Sequence, residues 1–142
     1  MELEGLLGDL TSCEEIVWIV GPGPIVSENA SPKPWVRFKN NIATVGCDQW
    51  HFHLPLASIA SVEFIEKDDP NFLPPRVFIV RFSGKEGAGS PLRCYFMSIE
   101  TSPPANVEAA QEQRRKAFEA LLDRYVGQDG ITHMKRVPEP VS

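Results

Sequence analysis

The chain has 142 residues, 42% apolar and 23% charged, with a formal net charge of −5. That length and balance suit about one globular domain with a core of its own. The negative charge argues against general nucleic-acid binding, which needs a basic footprint to displace counterions, and no run nears the roughly 18 apolar residues of a membrane span.

Glu2 to Leu10 reads as a short helix, weakened at Gly5 and Gly8. Glu15-Ile16-Val17-Trp18-Ile19-Val20 is a β-type run stopped by Gly21-Pro22-Gly23-Pro24, and Ile25 to Ser27 returns as the second strand of a hairpin. Trp35-Val36-Arg37-Phe38-Lys39 alternates, which puts Trp35, Arg37 and Lys39 on one face. Asn40-Asn41 is a turn signal; Ile42 to Val45 and Gln49 to Leu54 are further strands, with a kink at Gly46. Pro55 cannot donate to a ladder, so the second of these ends there or lies at an edge.

Leu56 to Ala60 suits a helical turn leading into a strand at Val62 to Ile65. Asp68-Asp69-Pro70 and Pro74-Pro75 frame a loop, and Gly84 to Gly89 joins strands at Arg76 to Phe82 and Leu92 to Ile99. Val107, Ala110, Arg114, Phe118, Leu121, Leu122 and Tyr125 recur at helical steps, capped by Asn106, ended by Gly127 and supported by a Glu112–Lys116 pair. From Gln128 onward the chain turns polar and reads as a flexible tail. The expectation is α+β: one domain over residues 1–127, a mainly antiparallel β-sheet of about seven strands with a long C-terminal helix packed on it, and a tail at 128–142.

Cys13, Cys47 and Cys94 are odd in number and lack Cys-x-x-Cys spacing. Reduced thiols fit a cytoplasmic protein, and Met1-Glu2-Leu3-Glu4 lacks the basic region of a secretory signal. No Gly-x-Ser-x-Gly elbow is present. The prolines of Gly21-Pro22-Gly23-Pro24 remove the amide donors a phosphate cradle requires.

Chemistry concentrates in Trp50-His51-Phe52-His53-Leu54. On a strand, His51 and His53 share one face, with Trp50, Phe52 and Leu54 on the other. Such a pair can chelate a first-row metal, with Cys47 or Asp48 adding a third ligand, or can simply sit on a solvated face. Haem iron needs only one axial imidazole, because the porphyrin supplies the other nitrogens. Trp18, Trp35, Trp50 and Phe72 are available to wall a slot, and Arg37, Lys39, Arg81 and Arg93 to meet the propionates.

Phe52-His53-Leu54, followed after four residues by Ile59-Ala60-Ser61-Val62-Glu63-Phe64-Ile65-Glu66-Lys67, resembles the haem-utilisation carriers of the ChuX/HutX type, relatives of the repeated halves of the HemS-like carriers. The order of parts from Glu14 to Val126 is similar too. The resemblance implies a cytoplasmic homodimer that binds haem and passes it to a haem-accepting protein. The family's histidine before the leucine is an iron ligand, and it falls on His53. His51 would orient His53 or line the pocket, with Trp50 as an apolar contact and Arg37 and Lys39 as propionate partners.

Two features depart from that family. Its early hairpin can supply a second histidine, where this chain has Gly21-Pro22-Gly23-Pro24, and the longer carriers have a helical segment before the sheet that is missing here. Those departures imply iron that is five-coordinate or weakly held, or a site that has changed its ligand altogether. The expected function is reversible haem binding by coordination rather than catalysis. The alternatives are an interaction module of the same fold without haem, and a haem-degrading enzyme.

Overall fold

In the computed structural model, which describes residues 1–98 and 105–135, the alternating runs build two β-sheets where one was expected. The chain runs α1 (Leu3–Thr11), β1 (Val17–Val20), β2 (Ser27–Asn29), β3 (Trp35–Lys39), β4 (Ile42–Gly46), β5 (His51–Pro55), a 3-10 turn (Leu56–Ser58), β6 (Ile59–Asp68), β7 (Arg76–Gly84), β8 (Leu92–Tyr95), α2 (Val107–Tyr125) and β9 (Ile131–Lys135). Strands β2-β1-β8-β7-β6-β9 form a six-stranded sheet, and β3-β4-β5 form a three-stranded one. All pairs are antiparallel except β6 with β9. The architecture is α+β, with a long helix toward the C-terminal end of the described chain, as expected.

Period-two burial explains the layering. Trp18, Val62, Phe64, Val80, Phe82 and Cys94 occupy one face of the large sheet and are fully buried. Against that inner face pack Ala43, Val45 and Leu54 of the small sheet, the α1 leucines Leu3, Leu6, Leu7 and Leu10, and Phe118, Leu121 and Tyr125 of α2. Phe118 is the hub, with ring centroids 5.5 Å from Phe64, 5.2 Å from Phe78 and 5.6 Å from Phe96. Gly5 is small for a reason: a Cβ there would stand 3.1 Å from the Tyr125 hydroxyl, which donates to Asp9.

The α2 cap is the expected one, with Asn106 Oδ1 accepting from the Ala109 amide at 3.0 Å. Arg114, the charged interruption of the apolar stripe, pairs with Glu15 at 3.4 Å. Glu112 bonds Arg115 rather than the expected Lys116, and Arg115 also reaches Glu119. Other edges move by a few residues. The hairpin return lies at Ser27–Asn29, β6 runs on to Asp68, and β8 ends at Tyr95, with Ile99 outside the described residues.

The expected tail at 128–142 does not hold over its first part. Gly127 (φ +105°) and Gly130 (φ +86°) turn the chain back, and Ile131–Lys135 adds to the sheet edge beside β6. Ile131 is buried in the core, and His133 Nε2 lies 2.9 Å from Glu66 Oε2. A strand with one deeply buried side chain reads as polar, which is why composition alone suggests a tail.

Candidate functional site

The small sheet buries one face and shows the other. Register fixes what the outer face carries: Trp35 lies opposite Gly46 and Gly46 opposite His51; Arg37 opposite Thr44 and Thr44 opposite His53; Lys39 opposite Ile42 and Ile42 opposite Pro55. The result is three rows, Trp35–Gly46–His51, Arg37–Thr44–His53 and Lys39–Ile42–Pro55. His51, His53, Arg37 and Lys39 are exposed, while Leu54, Ala43 and Val45 point into the core. Four of the five residues singled out from the sequence thus share one surface.

The fifth, Trp50, is not among them. It is half-buried on the Phe52 side, its ring nearly parallel to Phe52 at 6.3 Å and its indole N–H donating to the Ala30 carbonyl at 3.1 Å. Trp35 is the tryptophan that shares the histidine face. The Arg37 guanidinium stands 4.4 Å over the Trp35 ring, a cation–π contact that holds its charge at the surface.

His53 is the better held of the two imidazoles. Its Nδ1 lies 2.8 Å from Thr44 Oγ1. An imidazole that donates Nδ1–H to the threonine oxygen keeps its Nε2 lone pair for a metal. The His51 and His53 rings sit 5.2 Å apart, edge to face. Gly46 makes room beside them, because a Cβ there would fall 2.6 Å from the His51 Cβ and 2.7 Å from the Trp50 carbonyl oxygen. Sequence inspection marks Gly46 only as a kink and passes over Thr44; cross-strand register is the signal that finds both.

The third zinc ligand expected from Cys47 or Asp48 does not materialise. Among the described residues no three His, Cys, Asp or Glu side chains gather as a metal site, and Cys47 Sγ instead takes the Gln49 amide at 3.5 Å within its own turn. Two imidazoles alone fall short of the usual closed zinc set.

The other residues considered for a haem slot are elsewhere. Trp18 is a core residue, and Phe72 packs with Tyr95 over an apolar cluster of Ile65, Val77 and Ile79. Arg81 and Arg93 stand on the outer face of the large sheet, on the far side of the core from His53. Cys13 is disfavoured as a thiolate, since burial and the neighbouring Asp9 push its thiol up to about 11.

No protein-family model matches the chain, and no curated protein matches it by sequence. Solved structures do. Two structures of ChuX, one described as a haem-binding protein, superpose with TM-scores of 0.64 and 0.65 at 12% and 11% identity. Each alignment covers 87% of this chain, and 71% and 72% of those chains. A protein from Agrobacterium tumefaciens matches at TM-score 0.62 and 18% identity, over 87% of this chain and 66% of that one. This chain has the ChuX fold. The likeness at 11–18% identity is one of architecture, and it agrees with the fold expected from the His53–Lys67 segment.

Within that ChuX-like fold the described residues contain no helix long and apolar enough to cross a membrane.

Proposed function

We propose that the chain binds haem reversibly on the outer face of β3-β4-β5, with His53 as axial ligand, and serves intracellular haem trafficking. The observation that carries this reading is the row Arg37–Thr44–His53. It places a carboxylate-binding cation and an imidazole about two strand spacings, or ~10 Å, apart on one surface. The donor set fits the group: one imidazole with Nδ1 engaged, two cations for propionates and an indole beside them, on a surface where Gly46 lets β5 and His51 approach β4 closely. Bound haem would supply an iron centre and a large apolar plane; the chain supplies the ligand, the charge partners and an exposed surface from which an acceptor can take the cargo. ChuX, whose solved structure is described as that of a haem-binding protein, has the same fold.

Reversibility follows from exposure. His53 and His51 are open to solvent, so the iron would be held by coordination and by contact on one side of the plane. That suits handing over better than storage. A homodimer that covers the second side fits the same reading and is checked by sedimentation with and without haem.

The test is a haem titration followed by absorbance. A saturable Soret shift near one haem per chain, lost in His53→Ala and retained in His51→Ala, is the expected result. No Soret band, or one unchanged in His53→Ala, overturns it. One observation favours a second reading, an interaction module of this fold: the early hairpin carries exposed Ile25 and Val26 after Gly21-Pro22-Gly23-Pro24, an apolar tip with no imidazole. A protein of that kind develops no Soret band.

A further inference from the structure

The histidine pair supports a second chemistry that needs no porphyrin. His51 and His53 are exposed on β5, an edge strand of the small sheet, so an ion can reach them from above and from the side. Their ring centroids are 5.2 Å apart. A metal held by an imidazole nitrogen at ~2.1 Å lies about 3.2 Å from the centre of that ring. Two centroids at the observed separation then subtend about 110° at one shared ion, close to the tetrahedral angle.

The surroundings suit that closure. With Nδ1–H given to the Thr44 hydroxyl at 2.8 Å, His53 is held in place and presents Nε2 as its donor. The His51 ring has no hydrogen bond among the described residues. It is therefore free to turn about its last side-chain torsion, which has a broad range, from the present edge-to-face arrangement toward the same ion. Gly46, the register partner of His51, puts no side chain beside it. Arg37, the cation in the row of His53, is drawn over the Trp35 ring on β3, two strands away.

We propose that His51 and His53 chelate one divalent first-row ion of the zinc class, with solvent or a small ligand in the remaining positions. Imidazole nitrogen favours such ions over Mg2+ and Ca2+, which take oxygen ligands. Cys47 and Asp48 stay out of the set, so the site is open and exchangeable rather than a closed structural zinc centre. The chelate stands on the geometry of the pair and is independent of haem. One consequence rests on the haem reading: haem iron and the divalent ion would both use His53 Nε2, so a chain loaded with the ion cannot take haem.

The test is calorimetric titration of the full chain, without added histidines, with zinc chloride and with magnesium chloride. One Zn2+ per chain is expected, and Mg2+ should give no saturable heat. His51→Ala and His53→Ala should each weaken Zn2+ binding at least ~10-fold, because either change leaves one donor and removes the gain in effective concentration. His51→Gln, which keeps a polar side chain on the strand, should behave as His51→Ala does. His133→Ala and Cys47→Ser should bind Zn2+ as the parent chain does. Zn2+ binding that survives in both His51 variants, or that is lost in Cys47→Ser, overturns the two-imidazole chelate. The two readings fail separately. Zinc binding without a Soret band overturns the haem reading alone, and a Soret shift without zinc binding overturns the chelate alone. A Soret titration unmoved by saturating Zn2+ overturns the mutual exclusion.

Discussion

The two sheets contain the same alternation and use it differently. In β6, β7 and β8 the inner row is fully buried, and even the outer face keeps Ile65, Val77 and Ile79 nearly inaccessible under Phe72, Tyr95 and Met134. In β3, β4 and β5 the buried side chains are the inner Ala43, Val45 and Leu54, while on the outer face Arg37, Lys39, Ile42, His51 and His53 are exposed. A sheet enclosed on one side and partly on the other holds the molecule together. A sheet sealed on one side alone leaves its second face free to carry imidazole, guanidinium and indole. Stability and the proposed ligand chemistry thereby fall to different layers.

That contrast can be broken most severely at its hub. Phe118→Ala removes the ring that Phe64, Phe78 and Phe96 share, and should cost about 3–5 kcal/mol, measured by urea unfolding. His53→Ala should do the opposite: near-wild-type unfolding, with the Soret shift lost. If His53→Ala unfolds the protein as badly as Phe118→Ala, the division between layers is wrong.

A smaller effect comes from Thr44→Val, which keeps the β-branched shape and removes the bond to His53 Nδ1. Haem affinity should fall about 10-fold, in the range seen for residues that orient a metal's ligand, while the melting temperature changes little. His51→Ala is the control that should leave affinity nearer to wild type.

Acid sharpens the comparison from the large sheet's side. Burial pushes the Glu63 carboxyl up, but bonds from Ser83, Ser61 and Arg81, with the Arg81 charge, bring it below its ordinary value. A lowered folded pKa means that the stabilisation is full above the unfolded carboxylate range, near ~4.3, and is lost as pH falls through the folded value. Glu63→Gln should therefore flatten the acid limb of the stability curve below about pH 4, measured as melting temperature against pH. An unchanged acid limb would show that the pair does not govern it. The smallest change is Asn106→Ala, which should cost about 1 kcal/mol by removing the α2 cap.

Much of this was legible in the residues. Asn106 at the start of α2 and the sharing of a face by His51 and His53 are local patterns, and the structure repeats them; along Trp35–Lys39 the strand is there, but burial does not alternate, since Phe38 is exposed beside Arg37 and Lys39. The failures are all questions of partnership. Nothing in Trp35–Pro55 says that its strands pair only with one another, so one sheet was expected where there are two. Trp50 is the exception: parity along its own strand already put it on the Phe52 face, away from the histidines, where the structure has it. Thr44 and Gly46 matter only because register sets them opposite His53 and His51, and register across a sheet cannot be read from either strand alone.

Strand β9 has a practical consequence. It covers one edge of β6, a ten-residue strand whose middle five positions are all buried. The chain cut after Gly127, where composition suggests the domain ends, would bare that edge as a long row of unpaired amides and carbonyls flanked by Val62, Phe64 and Ile65. Such an edge is a template for recruiting further strands. The short segment Ile131–Lys135 therefore acts as a guard against self-association, and a fusion or truncation designed at this end should begin beyond it.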